Sequence, residues 1–211
     1  MKRTIGTLVG VFGLLFFLVP MARAITAEVP ATGQTTSFAP GDDGDLQRGV
    51  ALPTPRFTDN LDGTITDNLT GLIWLQNAGC VRVHFWALAV RVANGLASGD
   101  CGLSDGSVAG DWRLPNIREL HSLVNFGFFR PALSDAAGTG QGNDSDPFSN
   151  FPPLPSLFSV LYWSSTTVAS TSPFEHFAWG VNFFNGSVDF DSKNGDFLFD
   201  FQFVLAVRGG S

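Results

Sequence analysis

From Phe177 onward, apolar and polar positions follow a period of two. Phe177, Trp179, Val181 and Phe183 alternate with Ala178, Gly180, Asn182 and Phe184. Later, Phe197, Phe199, Phe201 and Phe203 alternate with Leu198, Asp200, Gln202 and Val204. Successive side chains of a strand point to opposite faces, and Asn185-Gly186 and Asn194-Gly195 supply turns. The pattern predicts several short antiparallel strands after Tyr162. Nearer the N-terminus, Arg56-Phe57-Thr58 and Thr64-Ile65-Thr66 flank Asn60-Leu61-Asp62-Gly63. This reads as a hairpin in which Asp-Gly supplies the positive φ values.

Between these regions the period lengthens. Trp86, Ala89, Val90, Ala93 and Leu96 form a stripe with Arg91 and Asn94 off it, so a helix is predicted over His84 to Ala97. A second helix is predicted to start at Pro115-Asn116, with Asn116 as N-cap and Glu119 closing a capping box. Ile117, Leu120 and Val124 would be its buried face. Asp135 to Pro155 shows no period and reads as a long loop of the functional or mobile kind. The expected class is α+β, with two helices packed on short antiparallel strands.

The ends of the chain add a leader. Lys2 and Arg3 precede an apolar stretch from Ile5 to Val19, and Ala22-Arg23-Ala24 is a small-x-small cleavage pattern. Residues 1–24 therefore read as a signal peptide, the stretch being short of the ~20 residues a membrane span needs. A retained anchor is the alternative. Residues 25–55 are rich in Thr, Gly, Pro and Asp, and their composition predicts a flexible leader that cannot offset its ordering entropy. Residues 56–211 form the expected domain.

Cleavage after Ala24 would leave 211 − 24 = 187 residues, with nine basic residues against 19 acidic ones, a formal charge of −10. Such a surface repels nucleic acid and anionic lipid, and no Lys/Arg cluster offsets it. Arg82, Arg91, Arg118 and Arg130 are scattered. No nucleic-acid partner and no membrane span after cleavage are expected, and the location is secreted, periplasmic or at the cell surface. The two cysteines, Cys80 and Cys101, are most simply a disulfide in an oxidising compartment.

Catalytic chemistry has few candidates. The three histidines, His84, His121 and His176, lie far apart and show no zinc spacing. Gly106-Ser107-Val108-Ala109-Gly110 is out of register for a nucleophile elbow, and the glycines of Gly138 to Gly142 precede no Gly-Lys-Ser/Thr. No enzyme activity, cofactor or metal site is expected. Asp144 and Asp146, or Asp42, Asp43 and Asp45, are the positions where calcium would bind; solvated polar turns are the alternative. Asp59 to Asp67 fails the EF-hand pattern.

Four strings occur in fixed order: Asp67-Asn68-Leu69-Thr70-Gly71-Leu72-Ile73-Trp74, Asp111-Trp112-Arg113-Leu114-Pro115-Asn116, Tyr162-Trp163-Ser164-Ser165-Thr166-Thr167 and Val207-Arg208-Gly209-Gly210. Together they resemble the Lcl C-terminal domain family, named for a bacterial collagen-like adhesin, from about Arg56 to the C-terminus. The resemblance implies a secreted module with a C-type-lectin-like fold that presents a binding surface, and it implies no particular ligand. The namesake binds sulfated glycans, a property that a chain at −10 does not support. Formylglycine-generating enzymes share this fold and look distantly similar around the terminal Arg-Gly-Gly, but they work through reactive thiols.

The sequence has 21 Phe against one Tyr, Tyr162. A Phe-preferring sheet core accounts for part of this, but adjacent Phe183-Phe184 must point to opposite faces. An exposed row of aromatics is either a contact surface or an aggregation hazard. Phe177, Phe184, Ser187, Asp189, Phe190, Asp191, Asp196, Phe197 and Phe199 also fit the alphabet reached by adenine changes in Asn and Tyr codons. Some lectin-like proteins are diversified by retroelements in this way; drift from Tyr to Phe is the alternative. The expected ligand surface comprises Trp179, Asn182, Phe184, Asn185, Asp189, Asp191, Asn194 and Asp196, binding a glycan or a protein on a surface. A homo-oligomeric assembly role through the Phe-rich strands is the competing expectation.

Overall fold

The computed structural model describes residues 29–82, 84–151, 161–169, 176–194 and 202–209. The predicted signal peptide, Asp196, the run from Phe197 to Phe201, Gly195 and Gly210 lie outside them. In chain order the elements are α1 (Asp43–Leu46), β1 (Phe57–Asp59), β2 (Thr64–Asp67), β3 (Ile73–Leu75), α2 (Trp86–Gly95), α3 (Ile117–His121), β4 (Leu161–Thr167), β5 (Phe177–Asn182), β6 (Ser187–Ser192) and β7 (Val207–Arg208). Two antiparallel sheets result, ordered β1-β2-β3-β7 and β4-β5-β6. The class is α+β, as the periodicities predict.

The β1–β2 hairpin forms where expected, with a different distribution of backbone angles. Leu61 takes φ 61° and Gly63 φ 84°. Asp59 Oδ1 accepts from the Leu61 N–H at 2.8 Å and so holds the unfavourable leucine conformation. Gly63 is required twice over, because a Cβ there would lie 2.5 Å from the Gly102 carbonyl oxygen.

Apolar residues form two cores, and the strands serve both. Trp74, Tyr162, Val181, Phe183 and Val207 pack into one with Ile65, Leu120 and Phe148. Their chain neighbours Leu75, Trp163 and Ala206 pack into the other with Ala89, Ala93, Leu103 and Trp112. Adjacent large apolar residues thus reflect sheets covered on both faces. Both α2 and α3 pack on β4, and α3 also packs on β5.

Helix α2 starts at Trp86, close to the predicted position. Helix α3 is shorter than the stripe suggested. Its capping box is present, with Asn116 Oδ1 accepting from the Arg118 and Glu119 N–H groups. The chain then leaves the helix after His121, so Val124 pairs with Leu133 instead of extending the helical face. The competing partner is close at hand: the Asn125 N–H donates to the Ala132 carbonyl at 3.0 Å.

Cys80 and Cys101 form the disulfide, with Cα atoms 5.6 Å apart and a sequence separation of 21. Closing a loop of that length is worth about 3 kcal/mol in the chain-entropy account, and the bond suits an oxidising compartment. Among the described residues no helix is long and apolar enough to cross a membrane.

Two stretches without apolar period are nevertheless held down. Residues 29–55, where composition predicts a tether, fold back on the domain. Val50 exchanges backbone hydrogen bonds with Val29 and Ala31 at 2.8 Å each, and the Phe126 N–H donates to the Thr32 carbonyl at 2.8 Å. The loop after Asp135 is pinned through Phe148 and Phe151, which are 0% and 4% exposed. Backbone bonds and two anchoring rings leave no periodic trace, so composition reports neither.

Candidate functional site

The described residues of the four strings form part of the scaffold. Trp74, Trp112 and Trp163 are fully buried, and Trp86 is half-buried with its Nε1–H donating to the Ser164 carbonyl at 2.8 Å. Arg113 is bidentate on Glu119, with both N–O distances 2.8 Å, and also donates to the Gly209 carbonyl. The Pro115 carbonyl accepts from the Ser165 N–H, and Thr166 Oγ1 accepts from the Ile117 N–H. Arg208 pairs with Asp105 at 3.0 Å. These residues join α3, β4 and β7, and they explain the strings as folding signals.

Burial pushes the Glu119 carboxyl up, but the Arg113 guanidinium and the Asn116 N–H together outweigh it and hold the group below its ordinary value. A lowered folded-state value means a stabilisation fully present at neutral pH and lost as pH falls through the ordinary glutamate range and below it. Glu119→Gln is therefore expected to be less stable than the parent at pH 7 and to lose less on acidification. Chemical denaturation midpoints from pH 7 to pH 3 check this; parallel curves for the two proteins would refute it.

The predicted ligand residues are spread over more than one surface. In the β5–β6 register Trp179 lies opposite Phe190 and Phe177 opposite Ser192. Phe190 meets Phe177 at 5.6 Å and Trp179 at 5.4 Å, both edge-on. Phe190 and its β6 neighbour Val188 are 40% and 41% exposed. Asp189 and Asp191 alternate with them on the opposite face, and Asp191 accepts from the Gln202 amide at 2.6 Å. Asn182 is buried and organises the following turn, its Oδ1 accepting from the Phe184 N–H at 2.9 Å. Phe184 packs on Phe129 at 4.8 Å beneath the Arg130 guanidinium. Asn185 is exposed at the same turn, and its Oδ1 accepts from the Ser187 N–H. Asn194 is exposed at the far end of β6.

Phe190 was not among the expected ligand residues, although its signal was present. Once Asn185-Gly186 is read as the hairpin turn, Phe190 falls opposite Trp179. Four of the five acidic residues singled out for calcium, Asp42, Asp43, Asp45 and Asp146, already accept hydrogen bonds from the protein, and Asp144 does not among the described residues. Asp42 accepts from the Phe38 and Asp45 N–H groups, which lower its pKa, and Asp146 accepts from the Ala136 N–H. Among the described residues no three His, Cys, Asp or Glu side chains gather as a metal site would require. Burial raises the Tyr162 hydroxyl well above its usual range.

No curated protein and no solved structure matches this chain. Residues 63–201, well over half of its length, match the Lcl C-terminal domain, and the chain belongs to that family.

Proposed function

We propose that this protein is an exported, non-catalytic recognition module of C-type-lectin-like fold, which binds a glycan or protein on a surface through the outer part of its C-terminal sheet. The observation that carries the reading is the aromatic group Phe177, Trp179 and Phe190, whose outermost ring remains 40% exposed on β6 beside a 41% exposed Val188. Neither core requires those two β6 side chains, and contiguous exposed apolar surface marks contact sites more often than scattered residues do. The rings offer flat faces to sugar C–H groups or to apolar protein side chains. Asn194, exposed beyond the end of β6, offers directional hydrogen bonds, whereas Asp189 lies on the opposite face. The acidic balance of the chain disfavours polyanions as ligands.

Two variants test the reading. Phe190→Ala and Asp189→Ala change exposed β6 positions, so both should fold. Binding of the purified protein to a glycan array and to whole cells should fall about thirtyfold for Phe190→Ala, the scale of an aromatic hot spot, and stay unchanged for Asp189→Ala, which alters the opposite face. A parent that binds nothing, yet forms a dimer which Phe190→Ala dissociates in sedimentation velocity, would replace recognition by an assembly role.

A further inference from the structure

The segment folded back over residues 29–52 does not close completely on the domain. Between it and the loops at 125–128 and 138–139 lies a cleft of about 290 Å³. Its walls include glycines at close approach. A Cβ on Gly33 would lie 2.2 Å from Asn125 Oδ1, and one on Gly127 would lie 2.4 Å from the Gly33 carbonyl oxygen. At these points the wall of the cleft is already closely packed, Gly33 against the Asn125 side chain and Gly127 against the Gly33 carbonyl.

Asn125 lines the cleft and is 5% exposed. Its Oδ1 accepts from the Gly127 N–H at 2.8 Å, while its NH₂ donates to no protein group. That NH₂ is accessible from the cleft, where it can donate to water or to a bound hydroxyl. Gln34 and Thr139 also line the cleft, and neither side chain makes a hydrogen bond among the described residues. The Thr32 hydroxyl is already used, donating to Asp43 and accepting from the Gln34 N–H. Phe128 adds an apolar surface, and no acidic, basic or histidine side chain lines the space.

We infer that this cleft binds a small neutral polyhydroxylated molecule, of the size of one sugar ring. Neutral amides and hydroxyls complement ligand hydroxyls in both donor and acceptor senses. The absent charges give an anion or cation nothing to pair with. The volume sits at the lower end of the ~300–1,000 Å³ usual for ligand cavities, which favours a single ring over an extended chain. The site shares no residue with the aromatic sheet surface, so its ligand is bound independently of any partner held there.

The test is a titration of the isotope-labelled protein with methyl glycosides of neutral hexoses and N-acetylhexosamines, with glucuronate as the charged comparison. Backbone resonances of Gly33, Gly127 and Thr139 and the Asn125 side-chain NH₂ should shift saturably. In a Gln34→Leu/Thr139→Val variant, which removes no hydrogen bond of the fold, the dissociation constant should rise at least about tenfold. Absence of saturable shifts at millimolar glycoside would overturn the inference. So would equal or tighter binding of glucuronate, or unchanged affinity in a variant whose remaining spectrum is native.

Discussion

Replacing Asp67 by Ala is expected to cost about 3–5 kcal/mol of folding stability, the scale of a broken buried ion pair. Asp67 is fully buried, and its partner Arg56 is 2% exposed. Its Oδ1 accepts from Arg56 and also from the Leu69 N–H at 2.8 Å, so one atom organises the turn after β2 as well as the pair. Arg56 also donates to the Ser122 carbonyl at 3.0 Å, just beyond the end of α3. Its guanidinium lies 4.5 Å from the centre of the Phe57 ring. Truncating the aspartate leaves a guanidinium charge in a low-dielectric site with one carbonyl to satisfy it.

Domains of this size have ~5–15 kcal/mol in total, so Asp67→Ala removes a large fraction of the margin. The paired change Arg56→Met/Asp67→Leu should recover much of the loss, because removing both charges leaves neither stranded. Urea denaturation followed by circular dichroism measures both. A cost below about 1 kcal/mol for Asp67→Ala would show that the pair is solvated in solution. Asp67 Oδ2 has no hydrogen-bond partner, so the pair is imperfectly satisfied and its contribution lies mainly in geometry: β1, the 68–72 turn and α3 are fixed relative to one another.

The same residues show what was legible in the sequence. The capping box at Asn116 and Glu119, the α2 stripe, the β1–β2 hairpin and the disulfide all follow from interactions between residues close in sequence or from a unique pairing. Such features carry a local signature. The outward course of the chain after His121 does not, because it depends on Ala132, Leu133 and the β5–β6 turn. The Ala132 N–H donates to the Phe183 carbonyl at 2.7 Å, a contact that no window around residue 120 contains.

The ordering of residues 29–55 was hidden for a related reason. Composition measures apolar area, whereas this segment is held by backbone hydrogen bonds and by Gly33 fitting against Asn125. The ligand residues were legible only as a region. Alternation placed Trp179 on a strand, but the edge-on contact with Phe190 depends on the exact hairpin register. Asn182 illustrates the opposite difficulty. Its amide has the chemistry of a ligand contact and is instead used to shape a turn.

Trp163→Ala is expected to cost about 3–5 kcal/mol, the range for deleting a large buried aromatic side chain. The ring is fully buried among Leu75, Trp112, Ala178 and Val204, in the core that reaches from β4 to α2. Its Nε1–H donates to the His84 carbonyl at 2.8 Å, tying the segment between Cys80 and α2 to the second sheet. The His84 carbonyl also accepts from the Gln202 N–H at 3.2 Å. Trp163→Phe separates the two contributions, since it keeps most of the apolar volume and leaves that carbonyl one partner. Its cost should be about 1–2 kcal/mol, a lost hydrogen bond with a small cavity. Equal losses in the two variants would place the energy in the hydrogen bond instead of the packing. The larger loss expected for Ala follows from position: Tyr162 and Trp163 direct adjacent rings into opposite cores, so the second core loses its largest contribution from β4 when Trp163 is removed.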